Sequence, residues 1–152
     1  MAISALAEDI KVPARILSAV IDVNENQPEV IISILKKEVS ELKNKRILML
    51  GLSFKPDTDD VRESVSLKLL KLLDGQVKSL SAHDPIAMSN AKNALELDMN
   101  IEFVDDWQDK LSDIDIVIIA TNWIEYAGLA NMLEKIKDKT ILDTRSLLSK
   151  DS

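Results

Sequence analysis

Four side chains in this sequence have the type and setting to grip a phosphorylated ligand. Phe54, Lys55 and Arg62 lie in the stretch GLSFKPDTDDVRES, residues 51–64, and Arg145 lies in ILDTRSLL, residues 141–148. Lys55 is a compact point charge suited to a phosphate. Arg145 offers a planar fork for phosphate or sugar oxygens. Phe54 presents a ring face. Arg62, read as sitting on the first turn of a following helix, adds a cation where a helix N-terminus already favours anions. Asp57, Asp59 and Asp60 partly cancel this field. The combination suits a nucleotide or a nucleotide-sugar better than a bare base or a lipid. A full dinucleotide fingerprint, G-x-G-x-x-G, does not follow the apolar run that ends in Gly51.

The elements that must position these groups are legible as alternating strands and helices from Lys45 onward. RILMLGL, VKSLSAHDP, IEFVD, IDIVIIAT and TILDTR read as strands. VRESVSLKLLKLL, AMSNAKNALEL, WQDKLSDID and AGLANMLEKI read as the helices between them, with Asp60 and Glu63 in a capping-box pattern and Gly75 as a stop. Five strands alternating with helices predict a Rossmann-like α/β domain: a doubly wound five-stranded parallel sheet, order 3-2-1-4-5. Its ligand side is the carboxyl edge, with the crevice between the first and fourth strands. Lys55, His83, Asp84, Trp123, Tyr126 and Arg145 all leave the sheet by that edge.

Plain structural roles stand beside each of these readings. Lys55 is equally a solvated loop charge. Arg145 could pair with Asp143 or cap a helix, and Arg62 with Glu63 could form a solvated helix start. Asp84-Pro85 reads as a turn that opens a helix, Trp123 and Tyr126 as packing residues, and His83 as a structural histidine.

Ahead of the sheet, residues 1–43 read as a helical arm and residues 44–152 as the sheet domain. Residues 2–10 read as a short helix, and Pro13 suits the first turn of a new one. Apolar residues recur at Ile16, Leu17, Val20, Ile21, Ile31, Leu35, Val39 and Leu42 with a helical period. Pro28 either kinks one long helix or starts a second. As one rod, residues 13–42 would span about 45 Å. Such an arm either folds back on the core or packs on another chain.

Composition narrows the chemistry. The 152 residues carry 19 basic and 26 acidic side chains, a net charge of −7, which argues against a sequence-independent nucleic-acid binder. There is no cysteine and one histidine, so thiolate metal sites and cysteine nucleophiles are excluded within this chain. No apolar run approaches a membrane span and no signal peptide is visible, so the expected location is cytoplasmic.

GLSFKPDTDDVRES closely resembles the signature of the carboxyl-terminal domain of the UDP-glucose/GDP-mannose dehydrogenase family. AHDP (82–85), IATNW (119–123) and ILDTRSLL follow in the family's order, and IDVNENQP (21–28) resembles the end of its central helix. The match is nearest to UDP-glucose 6-dehydrogenases, though UDP-N-acetylmannosamine and GDP-mannose dehydrogenases share much of it. The resemblance implies an enzyme that oxidises the C6 hydroxyl of a nucleotide-sugar with NAD⁺. In it, an amino-terminal Rossmann domain holds the NAD⁺, a cysteine forms a thiohemiacetal, and the central helix makes much of a homodimer interface. It implies that Phe54, Lys55 and Arg145 contact the UDP-sugar and that Arg62 approaches the NAD⁺ bound by the other half. Thr144 stands where the family has glycine. The GxGxxG strand, the cysteine and an upstream lysine and asparagine of that pattern are absent from these residues. The expectation is therefore a UDP-sugar-binding domain that folds and does not turn over alone; the competing reading is a non-catalytic dimerisation module.

Overall fold

A computed structural model describes residues 15–39, 41–95, 98–132 and 136–148. The expected short helix over residues 2–10 and the turn at Pro13 lie outside these. Chain order is α1 (Arg15–Glu38), β1 (Arg46–Leu50), α2 (Val65–Leu73), β2 (Ser79–His83), α3 (Met88–Ala94), β3 (Ile101–Phe103), α4 (Trp107–Lys110), β4 (Ile116–Ile119) and β5 (Thr140–Asp143). A 3-10 turn, Leu111–Asp113, follows α4, and a second, Ile124–Asn131, follows β4. The strands form one sheet in the order β3-β2-β1-β4-β5, with every neighbouring pair parallel. That is the expected doubly wound arrangement.

Strand alternation explains the two-sided core. Successive side chains of a strand face opposite ways. Ile47, Met49, Ile116 and Ile118 pack on one side, with α2, α3 and the last turns of α1. Leu48, Leu50, Val117 and Ile119 pack on the other, with Trp107, Leu111, Trp123, Tyr126 and Leu129. Both faces of β1 and β4 are covered, which is why Ile47–Leu50 and Ile116–Ile119 are continuously apolar. At the amino edge the Arg46 guanidinium grips Asp115 through two hydrogen bonds of 3.1 and 3.0 Å, tying the starts of β1 and β4 together.

Pro28 neither breaks nor restarts the arm: α1 runs 24 residues through it. The lost proline N–H leaves the carbonyl of Asn24 without its helical donor, and Asn24 is exposed, so water can serve it. The arm is divided along its length in another way. Ile31, Leu35, Val39 and Leu42 are buried in the sheet's core. At roughly 2 kcal/mol per buried aliphatic side chain, these four fix the later turns to the domain. Ile16, Val20 and Val23 are 84%, 50% and 58% exposed, and Val30 and Ile34 continue the exposed row.

Two expected helices change at their ends. The helix after β1 starts at Val65, not Val61, and its N-cap, Ser64, makes no side-chain cap bond. The capping box does not form. Asp60 turns instead to the backbone N–H and guanidinium of Arg62, and Glu63 sits at φ 57°, outside helical geometry. Ser64 spends its hydroxyl on the Leu52 carbonyl, 2.7 Å away. A tertiary bond to the end of β1 thus outcompetes the local cap. In AGLANMLEKI, the segment through Asn131 is 3-10 and not α, and residues 133–135 lie outside those described.

Candidate functional site

Every strand of a parallel sheet ends on the same edge, so the loops after β1, β2, β4 and β5 gather at one rim. The loop after β1 is the most elaborate. Phe54 donates its N–H to the Asp60 carbonyl at 2.8 Å, which closes residues 54–60 into a ring of backbone. Asp57, at φ 61°, makes the tight bend at its tip. Phe54 is 55% exposed, and Lys55 beside it is exposed as well. Arg145 follows β5. Its backbone N–H is held by the Asp143 carboxylate at 2.9 Å, and its Nε donates to the Ala120 carbonyl at 2.6 Å. Asp143 therefore orients the backbone of Arg145, while the guanidinium is anchored to the end of β4 by one nitrogen. Thr144 fastens β5 to β4 through its hydroxyl on the Ile119 carbonyl, 2.8 Å away. The left-handed bend falls at Ser146, φ 53°, two residues later, so threonine is accommodated at 144 without backbone strain.

Lys55 and Arg145 thus leave the same edge of the sheet. Arg62 is placed differently from the expectation. It lies in the loop ahead of the helix, not on its first turn, and its side chain is 87% exposed and paired to Asp60 at 2.7 Å. That bond holds the Asp60 carboxyl down at about 2. Arg62 borders a basin of about 560 Å³ formed by the Thr58–Arg62 segment with Asn90, Asn93 and Ala94. Asn90 closes one wall by donating to the Asp59 carbonyl at 3.0 Å.

The expected crevice between β1 and β4 is not open. Gly51 stands at φ 93°, and a Cβ built on it would lie 2.4 Å from the Thr121 Cβ. Thr121 donates its hydroxyl to the Ser53 carbonyl at 2.7 Å, and the Trp123 indole donates to the Ser53 hydroxyl at 3.2 Å. Ser53, Thr121 and Trp123 are all buried. A pyrophosphate cannot lie on Gly51 as it would in a glycine-rich loop, so this chain's first turn does not fit the diphosphate of NAD. The residues expected to contact a ligand, Phe54, Lys55 and Arg145, stand exposed on the rim instead.

What fills the crevice is a carboxylate. Asp84 is fully buried. Its Oδ2 accepts from the N–H groups of Leu52 (2.7 Å) and Ser53 (3.0 Å), the Ser53 hydroxyl (3.0 Å) and the Trp123 indole (3.1 Å). Its Oδ1 accepts from the N–H groups of Ile86 and Ala87. Burial pushes this carboxyl upward. The amide donors of Ala87, Leu52, Ile86 and Ser53 outweigh it, so the group is held below its ordinary value and stays ionised. The turn expected at Asp84-Pro85 is present through Oδ1; the binding of two further loops through Oδ2, those after β1 and β4, is what the sequence reading missed. The available signal was an acid at the end of a central strand beside a neighbouring strand end rich in small residues.

His83, Trp123 and Tyr126 have the structural roles expected of them. Tyr126 is fully buried, its ring edge-on to Trp107 at 5.8 Å, and its hydroxyl lies 2.9 Å from His83 Nδ1. Burial lowers the His83 pKa below 6.5, and the nearby carboxylates of Glu125 and Asp84 only partly offset it. The folded state therefore binds fewer protons than the unfolded one in the window just below 6.5. Stability is complete above that value and declines as pH falls through it. With one histidine in the chain, a melting series from pH 7 to pH 5 should show a falling midpoint, and His83→Gln should flatten that slope.

The family model described as "UDP-glucose/GDP-mannose dehydrogenase family, UDP binding domain" matches residues 48–150. A UDP-glucose 6-dehydrogenase of Rickettsia conorii is 34% identical over 155 residues, covering 100% of this chain and 36% of the relative. The Haloferax volcanii enzyme of the same name is 32% identical over 136 residues, covering 90% of this chain and 31% of the relative. Among solved structures, a UDP-glucose dehydrogenase from Pyrobaculum islandicum superposes with a TM-score of 0.79 at 34% identity, covering 93% of this chain and 31% of that one. The chain thus spans about a third of the length of the relatives it matches. Among the described residues, no helix is long and apolar enough to cross a membrane.

Proposed function

Because the chain belongs to the UDP-glucose/GDP-mannose dehydrogenase family, we propose that its carboxyl rim binds the nucleotide-sugar of an NAD-dependent 6-dehydrogenase, with UDP-glucose as the sugar nucleotide. What supports the reading is that Lys55 and Arg145, from opposite ends of the sheet domain, leave β1 and β5 on one edge. Lys55 would neutralise a phosphate, Arg145 would offer its remaining guanidinium N–H groups to phosphate or sugar oxygens, and Phe54 would pack on a ring. Arg62 would reach toward NAD held by an amino-terminal half, since the turn after β1 here offers no diphosphate cradle. The chain carries no cysteine, so the covalent step is assigned to that other half, and these residues alone are expected to bind without turnover.

Calorimetric titration of the chain with UDP-glucose tests this. Weak but saturable binding is expected. Lys55→Ala should weaken it by about 10- to 100-fold, as loss of a charge-assisted hydrogen bond implies. Equal binding by wild type and variant would remove Lys55 from the site.

A second role is favoured by a separate observation. Ile16, Val20, Val23, Val30 and Ile34 are exposed, and with Gln27 they repeat at intervals of 4, 3, 4, 3 and 4 residues. That is the spacing of a paired-helix seam. We propose that a second copy of the chain covers it, making the arm a homodimer interface that coexists with the binding rim.

A further inference from the structure

Resting on the nucleotide-sugar reading above, we propose that Asp84 is a positioning residue. Its buried carboxylate fixes where Phe54 and Lys55 stand, without touching the ligand.

The loop after β1 is anchored at its base. The residue before Phe54 has every backbone and side-chain polar atom engaged. The Ser53 N–H and hydroxyl both donate to Asp84 Oδ2, its carbonyl accepts from Thr121, and its hydroxyl oxygen accepts from the Trp123 indole. The preceding amide, Leu52, donates to the same Asp84 oxygen. Two consecutive amides aimed at one carboxylate oxygen fix the orientation of the peptide planes that lead into Phe54. Beyond that point the loop holds itself through the Phe54–Asp60 backbone bond. The exposed pair at residues 54 and 55 is therefore carried on a lever whose base is Asp84. The same oxygen binds the indole that follows β4, and the other oxygen binds the turn after β2. One charge sets the relative placement of three loops around the rim.

A buried carboxylate is costly unless its lone pairs are filled. Here six donors fill them. A neutral hydrophobic plug would close the crevice equally well. An anion adds what a plug lacks: direction for every amide it holds. Asparagine is the informative replacement. It preserves shape and can keep one oxygen for Ile86 and Ala87, but turns an NH₂ toward donors that then have no acceptor.

The test is a double-mutant cycle in the full chain, read by UDP-glucose calorimetry, with amide hydrogen exchange as a ligand-independent measurement. Asp84→Asn should stay folded and lose about tenfold or more in affinity, the scale of a lost charge-assisted bond. In its background Lys55→Ala should cost much less than in wild type, because the lysine is already misplaced. Amides of Leu52, Ser53 and Phe54 should exchange at least tenfold faster while those of Ile47–Leu50 hold. If Asp84→Asn does not fold, Ser53→Ala should show the same pattern in weaker form. Independent, multiplying losses for the two substitutions would overturn the proposal and leave a general structural role. So would unchanged exchange in the loop. If the wild-type chain binds no UDP-glucose, the nucleotide-sugar reading fails, while the exchange measurement still decides whether Asp84 fixes the loop.

Discussion

Replacing Gly51 with alanine should destabilise the domain by about 4 kcal/mol. Two costs combine. A non-glycine residue held at φ 93° carries a backbone strain of roughly 2 kcal/mol. The new methyl would also lie 2.4 Å from the Thr121 Cβ and 2.6 Å from its backbone nitrogen, and relieving such overpacking in a filled core costs about 2 kcal/mol more. At about 3 °C per kcal/mol for a chain of this size, the melting midpoint should drop by about 12 °C. Thr121→Ala in the same background should not rescue it, because the Cβ and the backbone nitrogen remain. Gly75→Ala is the control. Its φ is also positive, at 69°, but nothing lies within 4 Å of its added Cβ, so about 1 kcal/mol is expected. Equal losses at the two sites would show that the close approach of β1 to the segment after β4 is not what demands glycine at 51.

Placing two carboxylates in the exposed row of α1 should dissociate the proposed dimer. Val20→Glu with Val23→Glu would put two unpaired charges into a helix–helix seam. Burying one uncompensated charge costs about 3–5 kcal/mol, enough to shift a dimer constant by more than about two orders of magnitude. Sedimentation should show wild type dimerising with concentration and the variant remaining monomeric, with little change in melting temperature at low concentration. That last point follows from exposure: Val20 and Val23 lie outside the core that Leu35 and Val39 join. A wild type that stays monomeric at high concentration would refute the seam.

Strand order was readable because it depends on features repeated along the chain. Five short strand segments separated by helices, two of them the apolar runs of β1 and β4, admit few arrangements once crossovers share one hand. The rim was readable for the same reason: the ends of parallel strands share an edge whatever their side chains do. Local chemistry was less legible wherever a distant partner competed for it. Asp60 and Glu63 satisfy the spacing of a capping box, but Ser64 is claimed by the Leu52 carbonyl and Asp60 by Arg62. A lone Gly51 could signal room for a phosphate or room for Thr121, and only the three-dimensional register of β1 with β4 decides between them. Asp84 read as a turn because Ile86 and Ala87 are its sequence neighbours, whereas its other donors come from 31 to 39 residues away.

Ligand binding at the carboxyl rim is tested by a titration of the isotopically labelled chain with UDP-glucose, followed by backbone amide resonances. Saturable shifts are expected at Ser53–Asp57 and Thr144–Ser146, the loops that follow β1 and β5, with the amino edge silent. Shifts centred instead on Gly75–Ser79 and Asp98–Asn100, or none at millimolar ligand, would contradict it.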